Sequence, residues 1–587
     1  MTEEYDILIK NASIVDGSVR DSFRGSLATE GERIAAVGES VEGDAKTVID
    51  VNGLTVAPGF IDVHNHADLS ILYYPEAESF LRQGITTFVG GNCGDSTGPY
   101  RDYISEPWFL CDVYDDVSPY MYYRSWLMPR GLVNLRHMEI FGWEIDWHTL
   151  GEFLKRVEAQ GLAPNFIPLV GHGDVRAYVM ESDFRRAATK EEVRAMQEQI
   201  EVAMGEGCRG LSVGRDYEPG FWANFDELVA CAEVAAKYGG IYTSHCLYKG
   251  PGRPLKPGEL PPPRLNGVLE AIEIGRKCKI PVQISHLSPL YDVVPGGSEV
   301  MTEASVRATL KVIDDARRDG VEVSFDLIPN HLSGGIYTSQ YLYTLLLPWV
   351  KVTGSPEGFA KALKMEEFRA DIKEVVRNGR WFSLHLSYNP DWLDRSTIVE
   401  CKDARFVGKT VGKAATELNV EPLDALMDIL AIDPYTKAVR KGDDDLAKLM
   451  LYKHPEMMIG VDTFAIDERF ERRNPPWFLP NENSYGGFPR YFRRSVRETG
   501  TLTLNEAIRK VTSLPAKKFK LRDRGIIREG AYADIVIINP ETITDKGDQI
   551  NPRCYPEGVE YVVVNGVLVV ERGKHTRERP GKILYRE

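Results

Sequence analysis

"TKEEVRAMQEQIEVAMGEGCRGLSVGRD", residues Thr189 to Asp216, changes its hydrophobic period part-way along. Val193, Met196, Ile200 and Met204 recur at three- and four-residue steps, one face of a helix, and Gly205 and Gly207 punctuate the end. "GCRGLSVGRD" then runs on as a short apolar segment closed by a charged turn, which predicts a strand. The same unit follows downstream. "NFDELVACAEVAAKYGG" puts Leu228, Cys231, Ala232 and Ala235 on one face, Gly239 and Gly240 stop it, and "GGIYTSHC" is the next strand.

Strand runs of this kind recur through the chain: "LTVAPGFIDVHNH", "GITTFVGGNCG", "APNFIPLVGHG", "GCRGLSVGRD", "GGIYTSHC", "KIPVQISHLS", "VEVSFDLIP" and "EMMIGVDT", eight in all. Eight strands alternating with helices predict an α/β fold, a (β/α)8 TIM-like barrel in preference to an open doubly wound sheet. Such a barrel gathers its chemistry at the C-terminal ends of its strands.

The chain ends read differently. Residues 5–51 and 531–573 are short alternating strands with Asn-Gly, Asp-Gly and Glu-Gly turns, and neither end suffices for a core alone. They are expected to form one small β-sandwich built from both chain termini. The expected division is 1–58 and 526–587 for the sandwich and 59–525 for the barrel. Residues 97–149, with "EPWFLCDVYDDVSPYMYYRSWLMPRG", predict an aromatic loop that serves as a lid over the barrel mouth or as an oligomer contact. Residues from about 328 to 440 are long enough for an inserted segment between the seventh and eighth strands.

The bulk composition sets outer limits. With 43% hydrophobic and 27% charged residues among 587, the chain has the composition of a soluble globular protein with a large core. A formal charge of -15 argues against nucleic acid as a partner, which needs a basic face. Eight scattered cysteines without a Cys-x-x-Cys pair read as reduced thiols, the acidic start carries no signal-peptide pattern, and no apolar run is long enough for a membrane span. The expected location is the cytoplasm.

The residues at the strand ends carry the function. The first strand ends in His64 and His66, the second in Cys93, the fifth in His245, the sixth in His286 and the eighth in Asp462. Imidazole, thiolate and carboxylate are the side chains that bind Zn²⁺ or a similar ion. Alternation along a strand sends residues two apart to one side, so His64 and His66 can share one ion. Each of these residues alone reads as core or turn, and it is their common address that points to a metal. His172 ends the third strand and is expected in the pocket as a hydrogen-bond donor rather than a ligand.

The order of His-x-His, two single histidines and an aspartate, framed by terminal β-sheet, resembles the amidohydrolase superfamily. Within it, "GITTFVGGNCGDS", "LVGHGDVRAYVM", "GLSVGRDYEPG", "VQISHLS", "MMIGVD", "YGGFPR" and "VVVNGVLVVERGKHTRERPG" resemble the D-aminoacylase family of N-acyl-D-amino-acid deacylases nearly end to end. The resemblance implies that Cys93, His245 and His286 hold a tightly bound zinc ion. It implies that His64, His66 and Asp462 line a second position, with one or two zinc ions in all, and that Asp462 is the catalytic acid and base. The family's His-x-Arg string, whose Arg is expected to bind the substrate carboxylate, here has Leu247 in place of the Arg, with Lys249 and Arg253 nearby.

Three readings stand at this level. The first is an N-acyl-D-amino-acid deacylase acting on a small-molecule amide, as a monomer or a homo-oligomer. The second is a metal-dependent hydrolase of another amide, such as an N-carbamoyl compound, a cyclic imide or a bulky aryl amide. Leu247 and the aromatic residues Trp108, Phe109, Tyr114, Tyr120, Tyr122 and Tyr123 favour it. The third is a scaffold around a structural zinc, which needs a closed four-ligand site.

Overall fold

The computed structural model describes residues 4–105, 127–216, 218–247, 263–290, 298–329, 337–377, 392–440, 445–469 and 478–587. Each of the eight runs contains a strand. In chain order they are β1 (Phe60–Asp62), β2 (Ile85–Gly90), β3 (Asn165–Pro168, resumed at Val170–Gly171), β4 (Gly210–Gly214), β5 (Ile241–His245), β6 (Val282–Ile284), β7 (Val323–Leu327) and β8 (Met457–Ile459).

All of their pairings are parallel, in two sheets. The first part of β3 joins β2 and β1, and its second part opens the six-stranded run to β8. The ladder is not one closed ring. At the seam, the Val63 N–H donates to the Ile459 carbonyl at 3.3 Å.

These strands are apolar on both sides because both sides are covered. Val89, Ile167, Ile241 and Met458 join one cluster with Leu514 and Phe519, while their chain neighbours Phe88, Phe166, Tyr242 and Met457 join the main core. Burying each such side chain contributes about 1.5–3 kcal/mol, so the strand ends rest on a firm platform.

The covering helices start where their caps dictate. In α1 (Lys190–Gly205) the Thr189 hydroxyl accepts from the Glu192 N–H and the Glu192 carboxylate accepts from the Thr189 N–H, and Met196, Ile200 and Met204 are buried. In α2 (Phe225–Lys237) the Asn224 side chain caps the Glu227 N–H, and Leu228, Cys231, Ala232 and Ala235 are buried. Losing such a cap costs about 1 kcal/mol.

The two chain ends meet in a single nine-stranded sheet. Glu4–Ile14 lies between Phe23–Glu30 and Asp44–Asp50 and also pairs with Thr55–Pro58, which in turn pairs antiparallel with Ile535–Ile538. Ile7, Ile9, Leu27 and Ile34 share one core cluster with Ile535 and Ile537. Between β7 and β8 the chain builds a further core of its own, in which Leu346, Phe359, Ile372, Val411 and Leu426 pack together. No described helix is long and apolar enough to cross a membrane.

Candidate metal centre

His64 and His66 follow β1, Cys93 follows β2, His245 ends β5, His286 follows β6 and Asp462 follows β8. Because β1 stops at Asp62, the two histidines leave the strand on a turn instead of extending it. That turn is held from the side. The Asp462 N–H donates to the His64 carbonyl at 2.8 Å, the His66 N–H to the Thr463 carbonyl at 2.8 Å, and both the His64 and Val461 N–H groups donate to the Asp62 carboxylate. Gly460 makes the approach of β8 possible, since a Cβ there would stand 2.3 Å from the His64 Cβ.

Three of the six residues have left-handed backbones: Cys93 at φ 58°, His286 at 35° and Asp462 at 49°. Such conformations are uncommon for residues other than glycine and gather at functional sites. At Cys93 the turn is completed by Gly94, at φ 79°, where a Cβ would stand 2.6 Å from the Gly214 nitrogen. The left-handed turn thus swings the sulfur in from β2 toward β5.

The side chains converge in two groups that share Cys93. His64, His66, Cys93 and Asp462 form one, Cys93, His245 and His286 the other, and within each the donor atoms lie within 4.8 Å of one another. The Cys93 Sγ is 3.2 Å from the His64 Nε2 and 3.6 Å from the His245 Nδ1. The His245 Nδ1 and His286 Nε2 face each other at 2.8 Å. The Asp462 Oδ1 is 3.2 Å from the His66 Nε2 and 3.4 Å from the His64 Nε2. All three residues of the His64, His66 and Asp462 set are buried.

Two carboxylates absent from the sequence-based set stand behind the imidazoles. Asp326, within β7, lies 3.1 Å from the His64 Nδ1, and Asp216, beyond β4, lies 3.4 Å from the His245 Nε2. A carboxylate only accepts, so the ring nitrogens it meets carry the hydrogens and the opposite nitrogens turn their lone pairs inward. A signal for Asp326 was available in "VSFDL", where an acid interrupts a buried run and requires a partner.

The electrostatics follow from this crowding. Burial raises the Cys93 pKa, but the positive charge drawn to His64 and the hydrogen bonds from His245, His286 and His64 prevail and hold the thiol well below its usual value. Burial lowers the His64 pKa, yet Cys93, Asp326 and Asp462 carry it well above the ordinary imidazole range. His66, opposed by burial but hydrogen-bonded to Asp462 and Cys93, is pushed up to about 10. His245 rises to about 9 against burial through Asp216 and Cys93. Asp462 stays below the usual carboxylate value because His64 and His66 outweigh its burial.

The site therefore draws in positive charge. Protons on the imidazoles supply it, or a divalent cation does so while leaving the imidazoles neutral. The His245 Nδ1 and His286 Nε2, 2.8 Å apart beside the Cys93 sulfur, are donor atoms of the kinds a borderline metal ion takes, so this set fits such an ion.

His172 takes another course. It opens the helix after β3, and its Nε2 lies 2.9 Å from the Glu227 Oε1, outside both groups. The aromatic set of Trp108, Phe109, Tyr114, Tyr120, Tyr122 and Tyr123 lies outside the described residues, as do Lys249 and Arg253.

A family model described as the amidohydrolase family matches residues 47–240 and 417–570. The chain belongs to the amidohydrolase family. D-aminoacylase of Alcaligenes xylosoxydans xylosoxydans is 28% identical over 591 residues, covering 100% of this chain and 98% of that protein. N-acyl-D-glutamate deacylase of the same organism is 28% identical over 587 residues, with the same coverage. Among solved structures, N-acyl-D-glutamate deacylase from Bordetella bronchiseptica, complexed with zinc and a phosphonate inhibitor, is 26% identical with a TM-score of 0.68. That match covers 99% of this chain and 100% of the other. This amidohydrolase is thus similar over nearly its whole length to proteins named as deacylases of D-amino-acid derivatives.

Proposed function

We propose that this amidohydrolase is a zinc-dependent enzyme that removes the acyl group from N-acyl-D-amino acids. The observation that carries the reading is the pair of donor groups sharing Cys93, in a chain that matches two deacylases over nearly their whole length. We read the two parallel sheets as arcs of a (β/α)8 barrel, the terminal sheet as its attached β-domain, and the segment between β7 and β8 as an inserted subdomain.

Cys93, His245 and His286 would hold one zinc ion, and His64, His66 and Asp462 would line a second position. When bound, zinc supplies a Lewis acid that polarises the amide carbonyl and eases deprotonation of water near neutral pH. Asp462, kept ionised by His64 and His66, accepts a proton from the attacking water. It then passes that proton to the leaving nitrogen as the C–N bond breaks, which yields a carboxylate and an amine.

The carboxylate of the substrate needs a cation. Leu247 is half-buried and apolar, and the nearby Arg215 is bound to Glu270 at 2.8 and 3.2 Å. We infer that Lys249 or Arg253, which follow Leu247 closely in the sequence, supplies that cation. The described cysteines are all free thiols, which supports a reducing compartment such as the cytoplasm.

A panel of N-acetyl-D- and N-acetyl-L-amino acids and aryl amides, assayed with added Zn²⁺, tests the reading. Turnover confined to the D-series is expected. Turnover only of an amide without an amino-acid carboxylate would sink the proposal.

A further inference from the structure

Asp326 is fully buried and reaches both donor groups from one strand. Its Oδ1 lies 3.1 Å from the His64 Nδ1 and accepts the His286 backbone N–H at 2.8 Å, and its Oδ2 accepts from the Gln283 Nε2 at 2.9 Å. The Gln283 amide is itself oriented, because its Oε1 accepts from the Ser324 hydroxyl at 2.6 Å. The Asp326 carbonyl accepts from the Leu287 N–H at 2.9 Å, so the turn that carries His286 is tied to this residue on both sides.

Each bond sets something different. At His64 the carboxylate fixes the tautomer, holding the hydrogen on Nδ1 and aiming Nε2 at the Cys93 Sγ and the Asp462 Oδ1. At His286 it holds the backbone in its left-handed conformation, which aims that ring at His245. His64 belongs to one donor group and His286 to the other. Asp216 stands behind His245, in the second group.

We infer that Asp326 is a positioning residue that sets both metal positions together, through the tautomer of His64 and the backbone of His286. The inference rests on the metal reading given above. It adds a coupling: the two positions are tuned by one carboxylate, so neither can be weakened there without the other.

The test measures zinc retained per chain on dialysis against graded chelator, with melting temperatures of metal-free and zinc-loaded protein, for the parent, Asp326→Ala, Asp326→Asn and Asp216→Ala. Outer partners of metal-bound histidine are worth about 10–100-fold in affinity. Asp326→Ala is expected to lose that factor for every ion the parent retains. Asp326→Asn, which still accepts through its amide oxygen, is expected between it and the parent, and Asp216→Ala is expected to weaken only the ion held by His245. The rise in melting temperature on adding zinc should shrink in Asp326→Ala, whereas a merely structural role would lower both melts equally.

Parental zinc affinity in Asp326→Ala overturns the inference, as does a loss confined to one of two ions, or an undiminished rise on adding zinc. Where Asp326→Ala does not fold, parental affinity in Asp326→Asn overturns it. A parent that retains no zinc overturns the metal reading and this inference together, so the two failures are told apart by the parent alone.

Discussion

Two buried polar clusters lie side by side in this amidohydrolase, one after β3 and one across the other strand ends. In the first, the Arg176 Nη1 donates to both oxygens of Glu227 at 2.7 and 2.8 Å, the His172 Nε2 lies 2.9 Å from the same carboxylate, and the Arg176 Nη2 donates to the Phe184 and Arg186 carbonyls. In the second, the His245 and His286 nitrogens and the Cys93 sulfur turn toward one another, while Asp216 stands behind the His245 ring and Asp326 behind the His64 ring. A buried cation meets its anion in one; atoms able to hold a metal ion face one another in the other. The fully buried Arg176, Glu227 and His172 close an ion pair that ties helices together, whereas the part-buried His245 and His286 gather with Cys93 as donor atoms that fit an ion.

The contrast breaks first at Asp462. On the proposed mechanism, Asp462→Asn keeps the shape of the strand-end cluster but removes its proton acceptor, and kcat/KM should fall about 10²–10⁴-fold while the zinc proposed for the Cys93, His245 and His286 group is retained. Steady-state rates and metal content check this together. A parental rate would make the second cluster as structural as the first.

Glu227→Gln tests the other side. It leaves Arg176 buried without its counter-charge, which costs about 3–5 kcal/mol of stability, read by denaturant unfolding, while zinc content stays parental. Burial raises the Glu227 pKa, but His172 and Arg176 bring it below the ordinary glutamate value of 4.5. Its contribution to stability is therefore present above about pH 4.5 and lost as the pH falls below it. The gap in stability between parent and Glu227→Gln should narrow on acidification, and a gap that widens would show that Glu227 is not the buried anion.

An exposed pair sharpens the comparison from below. Hydrogen bonds from Arg186 hold Glu192 at about 2, but Arg186 is 39% exposed. Glu192→Gln keeps the cap of α1, and its melting temperature should stay within about 2 °C of the parent. A larger drop would make exposed and buried pairs equivalent here.

The legibility of these features in the sequence follows what each residue does. His64, His66, Cys93, His245, His286 and Asp462 face the site directly, at strand ends that hydrophobic period locates. Asp216 and Asp326 act through an imidazole, and nothing in their own neighbourhood says which histidine they will meet. Strand alternation predicts that His64 and His66 share a side. The structure reaches that result by a turn, because β1 ends at Asp62. The helix faces of α1 and α2 were legible because burial follows their period. At the chain ends the alternating pattern identified strands but not which edges pair, and the expected sandwich of both termini takes the form of one sheet joined at Thr55–Pro58 and Ile535–Ile538.

That join has a consequence in time as well as space. Thr55–Pro58 leads straight into β1 and the first histidines, and the Gly59 N–H donates to the Asp534 carbonyl at 2.8 Å. A ribosome makes Ile535–Ile538 long after Thr55–Pro58. At about 5–20 residues per second, the segment that aims His64 waits on the order of tens of seconds for the edge that fixes it. Through that interval the nascent chain carries the thiol of Cys93 and the imidazoles of His64 and His66 without the strand that flanks their base.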